Sequence, residues 1–257
     1  MMLTNLKLEY ILNEKLSSSM ISDYAPNGLQ IEGKKEIRKI VTGVTASLPL
    51  IDAAIERNAD AILVHHGYFW KSENPCIKGM KGKRIKKLIT HDINLFGYHL
   101  PLDVHLELGN NAQLAKQISV THLQGLEDKP YSIPVYGNLE TPISANDLKI
   151  KLESILNHEI ILCDEFVDEY PSKLIKTVGI CTGGGQGYID LAASKGIDAF
   201  ISGEISEQTT HSAREQGIYY FACGHHATER GGVKALGKWL ADEYNLDVEF
   251  IDINNPA

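Results

Sequence analysis

Cysteine is scarce in this chain: four among 257 residues, at positions 76, 163, 181 and 223, with no CxxC pair. That spacing excludes a disulfide framework and a cysteine-rich zinc knuckle, and the expectation is a reducing cytoplasm. Long apolar runs are missing too. No segment approaches the roughly 18 residues a membrane span needs, and charges interrupt the opening MMLTNLKLEYILNEKL every few residues, unlike a secretory signal. Basic residues are in deficit, 25 Lys and Arg against 33 Asp and Glu for a formal charge of −8, which argues against broad, non-specific contact with nucleic acid. With 43% hydrophobic and 23% charged residues the composition is that of an ordinary globular protein of one large or two modest domains. Histidine is what the chain has in unusual supply: ten, four of them in two adjacent pairs.

Apolar residues at Leu6, Leu8, Ile11, Leu12 and Leu16 behind Thr4 predict an N-capped amphipathic helix. After a turn at Pro26-Asn27-Gly28, residues 37–44 read as a strand, 47–57 as a helix with Pro49 in its first turn, and 61–64 as a buried parallel strand. A helix near 82–90, a strand near 94–98 and a helix near 111–118 continue the alternation, which indicates an α/β fold with largely parallel or mixed sheets. The pattern then repeats. Residues 51–66 (IDAAIERNADAILVHH) lie without gaps over 189–204 (IDLAASKGIDAFISGE), sharing Ile-Asp and Asp-Ala at identical spacing. An internal duplication giving two similar α/β domains, 1–128 and 129–257, is the reading that follows, with the Pro-containing stretch 129–142 as the seam and a metal site between the domains.

His65 and His66 follow directly on the strand 61–64, where ligands bind in open α/β sheets. A histidine pair alone is as readily an ordinary polar surface feature. The repeat strengthens it: the equivalent strand ends in Gly203-Glu204, and the next strand of each half leads to His99 and Asp103 or to His225, His226 and Glu229. Five nitrogen and oxygen donors, His65, His66, Asp103, His225 and Glu229, are more than one zinc requires and suit two divalent ions of Zn, Mn, Fe, Ni or Co.

The segments VTGVTAS (41–47), ILVHHGYFWK (62–71), YHLPLD (98–103), LGNNAQLA (108–115), SGEISEQT (202–209) and ACGHHATERGG (222–232) closely resemble the Nif-three-like dinuclear metal proteins in their short bacterial form, across essentially the whole chain. The resemblance implies the same five ligands, at the two His of HHG, the Asp of PLD, and the first His and final Glu of GHHATE. It also implies a ring-shaped homohexamer built as a trimer of dimers, and the label of a type 2 GTP cyclohydrolase I, hence a metal-dependent hydrolase acting on GTP or another phosphate-bearing small molecule. The alternative is a non-catalytic metal-binding ring that engages DNA or a protein partner.

Secondary candidates divide between two readings each. Glu204 is a carboxylate that holds a ligand His or accepts a proton from water, or simply a residue at a helix N-terminus. His99 and His226 hydrogen-bond ligands or serve as core polar groups, the second being the preferred expectation. TGGGQG (182–187) cradles phosphate or packs closely beside the site; without the Lys-Ser/Thr of a P-loop, packing is preferred. The basic run 78–87 is a solvated helix face or a binder of substrate phosphates or a nucleic-acid backbone.

Overall fold

The computed structural model describes residues 3–166 and 173–257. In chain order the elements are β1 (Leu3–Thr4), α1 (Asn5–Leu16), β2 (Gly28–Ile31), β3 (Glu36–Ile37), β4 (Lys39–Thr45), α2 (Leu48–Glu56), β5 (Ala61–His66), α3 (Gly79–Thr90) and β6 (Asn94–Gly97). They continue with α4 (Leu100–Val104), α5 (Asn110–Gln117), β7 (Val120–Gly125), β8 (Val135–Ile143), α6 (Ala145–Leu156), β9 (Ile161–Cys163) and β10 (Ile175–Cys181). Last come α7 (Ile189–Ser194), β11 (Ala199–Ser202), α8 (Glu207–Gln216), β12 (Tyr219–Ala222), α9 (His225–Tyr244) and β13 (Asp247–Phe250). Among the described residues no helix is long and apolar enough to cross a membrane.

Two compact units result, Met1–Leu102 with Gly232–Asn254, and Asp103–Gly231 with Asn255–Ala257. This division differs from a seam at 129–142. β7 pairs antiparallel with β8, so residues 120–125 belong to the second sheet, and β13 pairs in parallel with β4, so the C-terminal strand belongs to the first. Register between strands far apart in sequence sets the boundary, and local composition carries no trace of it.

The first unit holds the sheet β13-β4-β5-β6-β2, the second the sheet β7-β8-β10-β11-β12-β9. Within each lies the same module. β4, β5 and β6 are parallel with β2 antiparallel beside β6; β10, β11 and β12 are parallel with β9 antiparallel beside β12. Ala61 and Ala199 occupy the same register, opposite Ile40 and Asn94 in one copy and Val178 and Tyr219 in the other. A 12-residue helix precedes each edge strand, capped by Thr4 Oγ1 accepting from Lys7 N–H at 3.2 Å or Ser144 Oγ accepting from Asp147 N–H at 3.1 Å.

The shared Asp-Ala has a structural task. Asp60 Oδ2 accepts from the backbone N–H groups of Arg38 and Lys39 at 3.0 and 3.1 Å, and Asp198 Oδ2 from those of Lys176 and Thr177, both at 3.0 Å. Lys34 pairs with Asp60 at 3.1 Å and Lys173 with Asp198 at 2.7 Å. Each carboxylate thus fixes the start of its first parallel strand. Burial raises both carboxyl pKa values, and the hydrogen bonds and lysine charges overcome it, leaving both below the usual carboxylate range.

The central strands are buried on both faces, as their unbroken apolar sequence requires. In the second unit Val178, Ile180, Ala199, Ile201, Tyr219 and Phe221 cluster with Leu148, Leu152 and Leu156 of α6, while Phe200, Tyr220 and Ala222 cluster with Ile189, Ala192 and Ala213 of α7 and α8. In the first unit Val41, Ile62, Val64 and Leu95 meet Leu50, Ile51 and Ala54 of α2 and Ile85 and Leu88 of α3. In the second unit alternate residues of each parallel strand serve opposite helical layers, so the strand ends lie at the edge of the packed layers and not in the core.

Candidate metal centre

In the first unit β5 ends on His65, buried, and His66, half-buried. Their ring centroids are 4.6 Å apart, and the His99 ring stands 5.0 Å from His65 and 5.7 Å from His66. One nitrogen from each of the three lies within 4.8 Å of the other two. His65 Nδ1 is 3.0 Å from the carbonyl of Tyr98. A carbonyl only accepts, so Nδ1 carries the proton and the neutral ring has its lone pair on Nε2. His66 Nδ1 is 3.3 Å from Thr45 Oγ1. His99 follows β6; its backbone N–H donates to Asn27 Oδ1 at 2.7 Å and its Nδ1 meets Asp23 Oδ1 at 2.9 Å. Tyr24 and Trp70 flank the cluster, each 5.0 Å from the His99 ring. The structure therefore puts His99, for which a plain core role was the preferred expectation, beside the HHG pair.

In the second unit the first turn of α9 carries His225 and Glu229, four apart and so on one helix face. His225 Nε2 is 3.2 Å from Glu229 Oε1, and its Nδ1 is 2.7 Å from Glu204 Oε1. The hydrogen bond to Glu229 above all, aided by both carboxylate charges and opposed by burial, raises the imidazole pKa to about 9. Glu204 is exposed at its carboxylate, and the Tyr220 hydroxyl donates to its backbone carbonyl. Asp103 and Glu229 are both buried, with carboxylate oxygens within 4.8 Å of each other. Asp103 Oδ1 accepts from Asn110 Nδ2 at 2.9 Å and from Thr182 Oγ1 at 3.5 Å. Asn111 Oδ1 in turn accepts from the backbone N–H of Thr182 at 2.8 Å. The consecutive asparagines of LGNN thus hold Asp103 and the glycine-rich loop, roles that no spacing rule in the sequence announces.

That loop packs against the carboxylate. A Cβ on Gly183, whose φ is +62°, would stand 2.1 Å from Glu229 Oε1 and 3.0 Å from His225 Nε2. A Cβ on Gly203 would meet Gly183 O at 2.6 Å and the Cα of His225 at 2.7 Å. TGGGQG is therefore close backbone packing beside the candidate ligands, the preferred expectation. His226 is buried, and its backbone N–H donates to Ala257 O at 3.0 Å.

The donors fit a divalent first-row ion. They are imidazole nitrogens and carboxylate oxygens, and Cys181 does not compete: burial, with Asp103 and Glu229 adding negative charge, raises its pKa and favours the thiol. The basic run is only partly available to a partner. Lys81 pairs with Glu73 at 3.2 Å and lies over the Phe69 ring, Lys87 pairs with Asp52, and Lys78, Lys83 and Lys86 are exposed.

Comparison with known proteins places this architecture. A protein of Haemophilus influenzae called GTP cyclohydrolase 1 type 2 homolog is 66% identical over 99% of this chain and 100% of its own length. The Escherichia coli K12 protein of the same name is 54% identical over 98% of this chain and 99% of its own. A solved structure described as protein ybgI, unknown function, superposes with a TM-score of 0.93 at 54% identity, covering 99% of this chain and 100% of that one. The family described as Duf34/NIF3 (NGG1p interacting factor 3) matches residues 4–256, and with the repeated α/β module and this full-length similarity the chain belongs to that family.

Proposed function

We propose that the chain binds two divalent metal ions on His65, His66, Asp103, His225 and Glu229, and acts as a metal-dependent hydrolase. The observation that carries this reading is the position of Glu229. One buried carboxylate lies within 4.8 Å of donor atoms of both His225 and Asp103, as a carboxylate shared by two cations must. His65 and His66 add neutral nitrogens, and the Tyr98 carbonyl fixes the tautomer of His65. Zn, Mn, Fe, Ni and Co all accept such a set.

When bound, the ions would supply Lewis acidity and a lowered water pKa. The chain's own residues orient and exchange protons. Glu204 accepts a hydrogen bond from the Nδ1–H of His225, which leaves Nε2 as the ligating atom, and its exposed carboxylate is placed to accept a proton from solvent or substrate. Asn110 and Thr182 hold Asp103 in place by hydrogen bonds to Oδ1.

The name of the relatives makes GTP the first compound to try, with generic phosphoesters beside it. Elemental analysis should find two ions per chain, and turnover should vanish on chelation and return with metal. Two bound ions without turnover on any phosphate-bearing compound would favour the second reading, a metal-binding ring that engages DNA or a protein partner. The exposed Lys78, Lys83 and Lys86 support that reading, which a salt-dependent DNA-binding assay tests. Both readings include a homohexamer, a trimer of dimers, in the cytoplasm; light scattering that finds a monomer at working concentrations removes the ring from either.

A further inference from the structure

We propose that Tyr24 and Trp70 form an aromatic platform beside the candidate metal centre that stacks a planar nitrogen heterocycle, so that the site takes a mononucleotide and not an open-chain phosphoester. This rests on the hydrolase reading above and deepens it, naming its substrate class and two residues that select it.

The platform lies within the first unit and is built from two loops. Trp70 follows β5, its ring centroid 5.9 Å from that of His66 and 5.0 Å from that of His99. Tyr24, ahead of β2, is 5.7 Å from Trp70, with the two planes inclined by 36°, and 5.0 Å from His99. Both rings meet His99 edge-on, at 74° and 79°, so neither lies stacked on the imidazole. The loops are tied to each other, since Lys71 N–H donates to the Tyr24 carbonyl at 2.8 Å. They are also tied to the centre: Asp23 Oδ1, which faces His99 Nδ1 at 2.9 Å, accepts from Tyr24 N–H at 2.7 Å. A strained turn sets Trp70. Phe69 has φ +65°, costly for a bulky residue, and its N–H donates to Glu73 Oε2 at 2.8 Å. Lys81 holds the same turn, over the Phe69 ring at 5.0 Å and paired with Glu73 at 3.2 Å, and Glu73 N–H donates to the Trp70 carbonyl at 2.8 Å. These contacts fix the aromatic pair without burying it: Tyr24 is 55% exposed and Trp70 only half-buried. Aromatic faces held open to solvent gain from stacking with a flat ring, which every nucleobase presents, whereas an alkyl phosphate gains little there. Lys71, exposed and next in the chain, supplies positive charge for the phosphates of such a ligand.

The experiment is ligand titration of the full-length, metal-loaded protein, read by tryptophan fluorescence. The chain has two tryptophans, so Trp239→Phe, in α9, leaves Trp70 as the reporter. Among GTP, ATP, CTP and UTP, at least one should quench its emission saturably, and ribose 5-phosphate, which has no flat ring, should not. By equilibrium dialysis, Trp70→Ala and Tyr24→Ala should each weaken binding of that nucleotide by about 5–100-fold, the worth of one stacked base. Their circular dichroism and their ion count by elemental analysis should stay those of the wild type. Trp70→Phe should restore most of the affinity, because an aromatic face and not a particular polar contact is required. Tyr24→Ala, at an exposed position, keeps the test decisive if Trp70→Ala does not fold. Folded alanine variants that bind the nucleotide as the wild type does overturn the platform, and so does the absence of quenching by all four nucleotides. Quenching by a deoxythymidine oligonucleotide but by no mononucleotide overturns the substrate class. Wild-type protein that binds no metal overturns the hydrolase reading instead, and ring-dependent quenching of that protein still supports the platform.

Discussion

The two copies of the module agree at one end of their strands and differ at the other. At the start, Asp60 and Asp198 perform the same task, each with two backbone N–H groups and a lysine, Asp198 accepting also from Thr177 Oγ1 at 3.1 Å. At the end, the positions after the fourth paired residue are His65-His66 in one copy and Gly203-Glu204 in the other. The second copy has no room for His at 203, because any Cβ there meets Gly183 O and the Cα of His225. Its donors come instead from the helix that follows β12. A duplicated scaffold retained what starts the sheet and diverged where the candidate metal ligands lie.

The comparison is broken most severely at the strand ends. Glu204→Gln should retain two ions while any hydrolytic rate falls roughly 10²–10⁴-fold, the worth of a positioned acid–base group. Glu229→Gln, which removes the shared charge, should lose at least one ion. Elemental analysis and kinetics on the pair separate the roles, and loss of metal from Glu204→Gln would make it a ligand. Gly203→Ala should cost about 1–3 kcal/mol in urea denaturation, since backbone must move to admit the methyl, whereas His65→Ala adds no atom.

At the strand starts the copies should respond alike. Asp60→Ala and Asp198→Ala each remove two charge-assisted backbone bonds and a lysine pair, Asp198→Ala a bond from Thr177 Oγ1 as well, and each should cost about 2–4 kcal/mol. A large inequality between them would show that the likeness of geometry is not a likeness of energy. Because both carboxyl groups titrate below the usual range when folded, their stabilisation is complete above the unfolded pKa of about 3.9 and is lost as pH falls through the folded values. The wild type should therefore lose stability below about pH 4 more steeply than Asp60→Asn/Asp198→Asn. Smallest are the helix caps: Thr4→Ala and Ser144→Ala should each cost about 1 kcal/mol, measured by the same denaturation.

Sequence reading reached the parallel strands, the duplication and the α/β class because strands buried on both faces must be continuously apolar, and an apolar run is visible without coordinates. It stopped short wherever a partner lies far away in the chain. The edge strands β2 and β9 are four and three residues long, too short for a period to show. His99 reads as a single polar residue until Asp23, 76 positions earlier, is seen behind it. The run 78–87 reads as uniformly free charge, although Glu73 and Asp52 already engage Lys81 and Lys87. The candidate donors and the packing of the glycine-rich loop could be read from the sequence; the asparagines that hold Asp103 and that loop could not.

The return of β13 to β4 has a consequence for synthesis. Residues 39–42 of β4 form an open sheet edge until residues 247–250, some two hundred positions later, have been made. While the nascent polypeptide waits, that edge presents unpaired backbone groups beside Ile40 and Val41, a template for pairing with another chain. The second unit has no such delay, since all its strands lie between residues 120 and 222. Translation from the N-terminus thus finishes the second sheet before the first, and a chain cut anywhere between residues 222 and 247 has its N-terminal sheet as the incomplete one.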